Sequence, residues 1–294
     1  MQTFLGIDGG GTKTRALLVD STAQQIHCAE SGPSNLNIYD EATVRSSLQE
    51  VVASCIQATD AKPSAACFGL AGAANPETKA KLADIVQTLG LETFKIVSDA
   101  EIALEGAFRG GSGILLIAGT GSVCFGKSAK GTIHRTGGWG WLADDAGSAG
   151  WIGQRALEIA LQEQDGRRKG TAFRDTILPH LGIHSEEDIS PLLYQPLIKR
   201  SKIAELSSCV FDLARQQNCA AIAIYDEALD ALEALVRTTA GKMTNGADAL
   251  VFSGGLFNYN TDFRQALETK LSDFKIHAAL DTPLEGAIAI ARKI

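Results

Sequence analysis

Short apolar segments separated by turn residues open the chain. One apolar run begins at Phe4 and ends at Ile7, and a second covers Ala16–Val19, beyond the glycine-rich segment Asp8–Thr12. Apolar runs of this length, bounded by turn residues, predict β-strands. A third strand is predicted at Ile26–Glu30. We therefore expect a meander of three strands, with Asp8–Thr12 at the tip of its first hairpin.

Helical and strand patterns alternate after the meander. Apolar residues three and four positions apart predict an amphipathic helix, and continuous apolar runs predict buried strands. Pro76 suits the first turn of a helix, where its missing N–H is not needed. The predicted elements are, in order, a helix across 44–56, a strand at Ala65–Leu70, a helix from Pro76, a strand at Phe94–Ser98 and a helix at Ala100–Phe108. This alternation predicts a sheet with crossing helices.

The pattern of strand, glycine-rich turn and strand occurs a second time. After Gly110–Gly113, which we predict to be a tight hairpin, Ile114–Ile117 and Val123–Phe125 flank Gly119–Ser122 as the first two strands flank Asp8–Thr12. An internal repeat of this kind predicts two related α/β lobes. Further predicted elements are helices at Ile203–Gln216 and Tyr225–Met243, a strand at Ala249–Ser253 that ends at Gly254-Gly255, and a helix at Glu285–Arg292.

Composition narrows the expected partners and the compartment. The 294 residues include 27 Lys and Arg against 34 Asp and Glu, a net charge of -7. This balance lacks the basic field that binds phosphate backbones or anionic membranes, so nucleic acid is not an expected partner. The longest apolar stretch, Cys219–Tyr225, is far below the ~20 residues of a membrane helix, and no export signal is visible. Six irregularly spaced cysteines predict reduced thiols, mostly in the core, and a cytoplasmic protein.

Three glycine-rich turns follow apolar strands, at Gly9–Thr12, Gly119–Ser122 and Gly254-Gly255. Glycine allows a ligand to approach the backbone N–H groups closely. Each turn alone is also compatible with a tight hairpin, but the three together predict a polyphosphate and nucleoside site. A Rossmann or Walker loop is excluded, because such a loop runs into a helix whereas Gly9–Thr12 runs into a strand.

Six motifs follow one another along nearly the whole chain. They are Asp8-Gly-Gly-Gly-Thr-Lys-Thr-Arg15, the strand-end residue Asp99, Gly119-Thr-Gly-Ser122, Gly137-Gly-Trp-Gly140, Asp145-Ala-Gly-Ser148 and Ser253-Gly-Gly255. Together they resemble the N-acetylglucosamine kinases of the sugar kinase, Hsp70 and actin superfamily. That branch also contains the activator ATPases of benzoyl-CoA reductase and hydroxyacyl-CoA dehydratases.

The resemblance implies an α/β fold of two ribonuclease-H-like, actin-like ATPase lobes with the nucleotide in the cleft between them. The first lobe is expected at residues 1–112, joined by a C-terminal helix at 283–294, and the second at 113–282 with a helical insertion. The implied activity is transfer of the γ-phosphoryl group of ATP, with Mg2+, to N-acetylglucosamine or a related hexosamine, at the 6-hydroxyl. The implied assembly is a homodimer.

Site residues are carried over from the resemblance position by position. Asp8 is expected to hold Mg2+ through water. The ATP phosphates are expected at Gly10, Gly11, Thr12 and Lys13 and, in the second turn, at Thr120 and Gly121, with adenosine against Gly254 and Gly255. The sugar is expected at Asn35, Asp99, Gly138, Trp139 and Asp145.

Asp99 is the expected catalytic base. Phosphoryl transfer to an alcohol needs a carboxylate that takes the hydroxyl proton, and Asp99 lies between a predicted strand and a predicted helix. An aspartate in this position is also a common helix N-cap.

The sugar-site residues have structural alternatives, and one segment departs from the family pattern. Trp139 also suits core filling, and Asp145 also suits a capping or solvated position beside Asp144. Relatives usually have Gly-Asp-Glu-Gly-Ser where this chain has Asp144-Asp145-Ala146-Gly147-Ser148. A carboxylate is therefore lost at Ala146 and one is gained at Asp144, which leaves the identity of the sugar open.

Three alternatives to an N-acetylglucosamine kinase remain at this point. One is a kinase specific for glucosamine, and another is a sugar-sensing regulator without turnover. A third is an activator ATPase, a class that holds an iron-sulfur cluster with two mid-chain cysteines from each of two subunits. Cys124 is the only cysteine between Cys67 and Cys209, so the second ligand is missing.

Overall fold

The computed structural model describes residues 2–193, 200–243 and 248–294. Its strands are β1 (Thr3–Gly9), β2 (Thr14–Asp20), β3 (Gln25–Ser31), β4 (Ala65–Leu70), β5 (Phe94–Ser98), β6 (Gly113–Ala118), β7 (Ser122–Lys127), β8 (Ile133–Gly137), β9 (Ala249–Ser253) and β10 (Lys275–His277). Its α-helices are α1 (Glu41–Thr59), α2 (Pro76–Gln87), α3 (Asp99–Phe108), α4 (Ala149–Gln164), α5 (Ala172–His180), α6 (Ile189–Leu193), α7 (Arg200–Arg215), α8 (Cys219–Lys242), α9 (Gly255–Tyr259), α10 (Thr261–Lys270) and α11 (Pro283–Ala291). Over the described residues, no helix is long and apolar enough to span a membrane.

Unit 1 contains the chain up to Ser112 together with Ala278–Ile294. Its strands pair in the order β3-β2-β1-β4-β5, as an antiparallel meander followed by parallel strands. Every residue of β4 is buried, because helices cover both faces of this part of the sheet. Residues of α1 and α2 form one core, and residues of α3 and α11 form a second. The predicted meander and the strands at Ala65–Leu70 and Phe94–Ser98 are confirmed.

Two glycines allow α3 and α11 to pack backbone to backbone. A Cβ atom at Gly286 would lie 2.1 Å from the carbonyl oxygen of Ile102, and one at Gly106 would lie 2.3 Å from that of Thr282. Neither distance is sterically possible, so no larger residue fits without separating the helices. The C-terminal helix, which was predicted at Glu285–Arg292, forms at Pro283–Ala291 and belongs to unit 1.

Unit 2 contains Gly113–His277 and repeats the topology of unit 1. Its strand order is β10-β9-β6-β7-β8, so β6 to β10 take the places of β1 to β5. This common order confirms the internal repeat and the α/β fold of two related lobes. The helices α4 to α8 are inserted between β8 and β9 and contribute most of a single large apolar core.

Some elements differ from the predictions. The segment Gly110–Gly113 is not a hairpin, because α3 ends before it and β6 begins at its last residue. Arg109 caps α3 in the left-handed region, with φ of 46°. β8 and β10 have no counterpart among the predicted strands. Both are edge strands of partly exposed residues, so they lack the apolar pattern that identifies a buried strand.

Candidate active site

The first glycine-rich turn is the tip of the β1–β2 hairpin, as predicted. The backbone N–H of Gly10 donates to the carbonyl oxygen of Lys13 (3.0 Å), and the carbonyl oxygen of Gly10 accepts from Ser34 (2.9 Å). A Cβ atom at Gly9 would lie 2.2 Å from Ser34 Oγ, so Gly9 is required for packing. At Gly10 and Gly11 a Cβ atom would meet nothing closer than 3.4 Å. The tip is therefore open on the side of these two glycines, which is the side a ligand can approach.

Two ion pairs connect neighbouring strands at this tip. Asp8 lies opposite Arg15 in the β1–β2 register, and its Oδ2 accepts from Arg15 Nη2 at 2.5 Å. Lys13, which is exposed, pairs instead with Glu30 on the neighbouring strand at 2.8 Å. The Asp8 side chain is largely buried, whereas the Lys13–Glu30 pair is about half exposed. Arg15 therefore holds one carboxylate oxygen of Asp8 in place at the end of β1.

Asp99 is exposed at the carboxyl end of β5, as the first residue of α3. The N-cap of α3 is Ser98, whose Oγ accepts from the backbone N–H of Glu101. The interpretation of Asp99 as the N-cap is therefore wrong. Its Oδ1 accepts a local hydrogen bond from Ala100 N–H at 2.9 Å.

The parallel strands of unit 1 bring these residues to one edge of the sheet. Gly9 at the end of β1 pairs with Leu70, and Leu70 pairs with Ser98 at the end of β5. Asn35 follows Ser34, which binds Gly10, and its Oδ1 accepts from the N–H of Asn37 at 2.9 Å. The expected Mg2+, phosphate, sugar and base residues of unit 1 thus share the carboxyl edge of its parallel strands.

The second glycine-rich turn occupies the corresponding position in unit 2, between β6 and β7. Its carbonyl oxygens are bound by the start of α4, since Ala149 N–H donates to Gly119 (2.9 Å) and Gly150 N–H donates to Thr120 (3.2 Å). The hydroxyl of Ser122 donates to the carbonyl oxygen of Ala146 at 2.8 Å. The turn and the segment before α4 therefore form one hydrogen-bonded structure.

Gly254 and Gly255 lie beside this turn at the end of β9. Gly254 has φ of 107°, and a Cβ atom there would lie 2.2 Å from the carbonyl oxygen of Ala118. Gly255 begins α9, and a Cβ atom there would meet only the ring of Tyr259, at 3.7 Å. Gly254 therefore has to be glycine because of its backbone conformation and its close contact with Ala118. Gly255 leaves space beside the turn.

Trp139 does not fill the core, because it is 75% exposed. The guanidinium of Arg135 lies over its ring, 4.5 Å from the centroid, and donates to the carbonyl oxygens of Gly137 and Gly138. The backbone N–H of Trp139 donates to Asp144 Oδ2 at 3.1 Å. These contacts hold an exposed flat ring on a loop. A flat apolar face of this kind suits packing against a sugar ring.

Asp145 is buried, so neither the solvated nor the capping interpretation describes it. It is 4% exposed, it has φ of 65°, and the N-cap of α4 is Ser148. Its Oδ2 accepts from Arg200, which also donates to the carbonyl oxygen of Thr120 at 2.9 Å. Sequence reasoning missed Arg200, because nothing in its sequence neighbourhood distinguishes it from other surface arginines.

The chain matches the BadF/BadG/BcrA/BcrD ATPase family over residues 5–289. It belongs to this family. The membership confirms the branch of the superfamily that the motifs indicate.

Two curated relatives of this family member are sugar kinases by name. The N-acetylmuramic acid/N-acetylglucosamine kinase of Clostridium acetobutylicum is 32% identical, and the match covers 99% of each chain. The N-acetyl-D-glucosamine kinase of Dictyostelium discoideum is 29% identical over 86% of this chain and 85% of the relative. A crystal structure from Chromobacterium violaceum, provisionally named an N-acetylglucosamine kinase, has a TM-score of 0.78 at 22% identity and covers 99% of both chains. It shows the same fold.

Proposed function

We propose that this protein transfers the γ-phosphoryl group of MgATP to the 6-hydroxyl of an N-acetylated amino sugar. The observation that carries the chemistry is the exposed carboxylate of Asp99 at the carboxyl edge of the unit 1 sheet, where Ser98 supplies the helix cap. The relatives named for N-acetylglucosamine and N-acetylmuramic acid support this class of acceptor.

Asp99 is the general base in this proposal. It accepts the proton of the sugar hydroxyl while that oxygen bonds to the γ-phosphorus and the bond from phosphorus to the bridging oxygen of ADP breaks. Charge then spreads over the phosphoryl oxygens, and backbone N–H groups stabilise it. The N–H of Gly10 is used inside the hairpin tip. In unit 1 the proposed donors are the N–H groups of Gly11 and Thr12. The corresponding turn of unit 2 contains Thr120 and Gly121, whose N–H groups are proposed phosphate ligands.

Asp8 fits a role in holding Mg2+ through water. Mg2+ is usually bound by one or two carboxylates together with substrate phosphates, rather than by an all-protein cage. Among the described residues, no three His, Cys, Asp or Glu side chains are grouped as a metal site, and Asp8 contributes a single carboxylate that Arg15 orients. When bound, Mg2+ would neutralise negative charge on the phosphate oxygens.

The activator ATPase alternative requires a cysteine that can reach a cluster at a subunit interface. Cys124 is completely buried on β7 in the core of unit 2. Burial raises the pKa of its thiol to about 12, so the thiolate that ligates iron is strongly disfavoured. The buried position of Cys124 therefore supports a sugar kinase over an activator ATPase.

A coupled ADP-release assay tests the proposed function. N-acetylglucosamine, N-acetylmuramic acid, glucosamine and glucose are compared with a reaction that contains no sugar. We expect ADP release that depends on an N-acetylated amino sugar and a 6-phosphate product by phosphorus NMR. ATP hydrolysis at the same rate without sugar would contradict the kinase assignment. A preference for glucosamine would show that the acceptor is not an N-acetylated sugar.

A further inference from the structure

Arg200, the first residue of α7, joins two segments of unit 2 through one nitrogen. Its Nη2 donates to the carbonyl oxygen of Thr120 at 2.9 Å and to Oδ2 of Asp145. Thr120 belongs to the second glycine-rich turn, and Asp145 belongs to the segment before α4. A single guanidinium therefore bridges a proposed phosphate-binding turn and a proposed sugar-binding carboxylate.

Two glycines of α4 allow Arg200 to reach this position. A Cβ atom at Gly153 would lie 1.9 Å from the carbonyl oxygen of Ile203, so the first turn of α7 packs directly on the backbone of α4. A Cβ atom at Gly150 would lie 2.5 Å from the Thr120 carbonyl oxygen and 3.3 Å from Arg200 Nε. Gly150 and Gly153 are three residues apart and share one helix face. The helix packing thus places the guanidinium against the turn.

The electrostatics of Asp145 depend on Arg200. The Asp145 side chain is almost fully buried, and its backbone has a positive φ. A buried carboxylate is unfavourable unless a cation and hydrogen bonds compensate it. Arg200 supplies both, although its own Nε is buried without a hydrogen-bond partner among the described residues. The position of the guanidinium is therefore set by its bonds to Thr120 and Asp145 and by the packing of α7 on α4. Its hydrogen-bonding groups are not all paired.

We propose that Arg200 is a positioning residue that fixes the Thr120 turn and the Asp145 carboxylate relative to each other. This inference rests on the proposed kinase function, because Thr120 and Asp145 are assigned to ATP and sugar on that basis. In this proposal Asp145 contacts the sugar, and Arg200 links Asp145 to the turn that contacts the phosphates. Loss of Arg200 should disturb the binding of both substrates, whereas loss of the Asp145 charge should disturb mainly the sugar.

Arg200→Lys is the primary test, since lysine keeps the positive charge but not the guanidinium fork. We expect a melting temperature close to that of the wild type. The dissociation constant for the ATP analogue AMP-PNP, measured by calorimetry, should rise roughly 10-fold, which is the usual effect of losing one hydrogen bond from a charged group. The sugar KM should rise as well. Asp145→Asn, which keeps an oxygen for Arg200, should raise the sugar KM and leave AMP-PNP binding nearly unchanged.

A double variant separates positioning from simple charge compensation. Arg200→Met combined with Asp145→Asn removes both charges, so its melting temperature should exceed that of Arg200→Met, while AMP-PNP binding stays weakened. Recovery of both stability and AMP-PNP affinity would overturn the proposal, as would unchanged AMP-PNP affinity in Arg200→Lys.

Arg215→Met, which removes an exposed arginine at the other end of α7, is the matched control and should bind AMP-PNP normally. AMP-PNP binding requires no sugar, so it remains measurable if the wild type phosphorylates none of the sugars.

Discussion

Ser98 and Glu101 cap each other at the start of α3. Ser98 Oγ accepts from the backbone N–H of Glu101 at 3.2 Å, and Glu101 Oε1 accepts from the backbone N–H of Ser98 at 3.1 Å. Two of the donors that every helix N-terminus leaves unpaired are therefore satisfied without Asp99. This division of roles allows stability and chemistry to be tested at adjacent residues.

Asp99→Asn should lower kcat by at least ~100-fold, the lower range of general-base contributions, because an amide cannot accept the hydroxyl proton. AMP-PNP binding should remain near the wild-type value in calorimetry. Asp84→Asn, at an exposed position of α2, is the control and should turn over normally. Near-normal turnover of the Asp99 variant would remove it as the base.

Ser98→Ala should reduce the free energy of unfolding by about 1 kcal/mol, which is typical for loss of an N-cap. The effect on kcat should be small beside that of Asp99→Asn. Urea denaturation and steady-state kinetics on the same preparation provide the comparison. A variant that keeps full stability but loses turnover would contradict this assignment of the cap.

Gly254→Ala and Gly255→Ala should behave differently although they are neighbours. The added methyl group at Gly254 meets a backbone carbonyl oxygen at 2.2 Å in a positive-φ region, so we expect destabilisation of about 1–3 kcal/mol or more. At Gly255 the methyl group has space, and thermal melting should be normal while AMP-PNP affinity falls. Unchanged affinity in Gly255→Ala would place the nucleoside elsewhere.

Trp139→Ala should raise the sugar KM by roughly 2- to 10-fold, because an aromatic contact contributes about 0.5–1.5 kcal/mol. The melting temperature should hardly change, since the side chain is already exposed. Trp139→Phe keeps a flat face and should retain most of the affinity. A large loss of stability, or an increase in the ATP KM alone, would be inconsistent with a sugar contact.

Asp8→Asn should raise the Mg2+ concentration needed for half-maximal activity by roughly 10-fold or more, as expected when a group outside the first coordination shell is lost. Glu30→Gln provides the control, because it breaks the exposed Lys13–Glu30 pair beside the same hairpin tip. Such a pair contributes only ~0–1 kcal/mol. Equal Mg2+ requirements in both variants and the wild type would argue against a role for Asp8 in metal binding.

Much of the fold could be predicted from local pattern. The strand Ala65–Leu70 is completely buried, and the strand Ala249–Ser253 is buried at Leu250 and Val251; both form with the predicted bounds. The family could be predicted because glycine motifs such as Asp8–Thr12 are contiguous in sequence. The strands β8 and β10 could not, because their residues are exposed or only partly buried and form no apolar run.

The sequence by itself determined the strands β1 to β7 and β9, the repeated lobe and the family, because those depend on side-chain patterns within short windows. The structure showed that Ser98 rather than Asp99 caps α3, although Ser98 and Glu101 are only three residues apart and have the spacing of a capping box. Arg200 is 80 residues from Thr120 and 55 from Asp145. Its role arises from the close packing of α4 on α7, a contact between distant segments that no local pattern encodes.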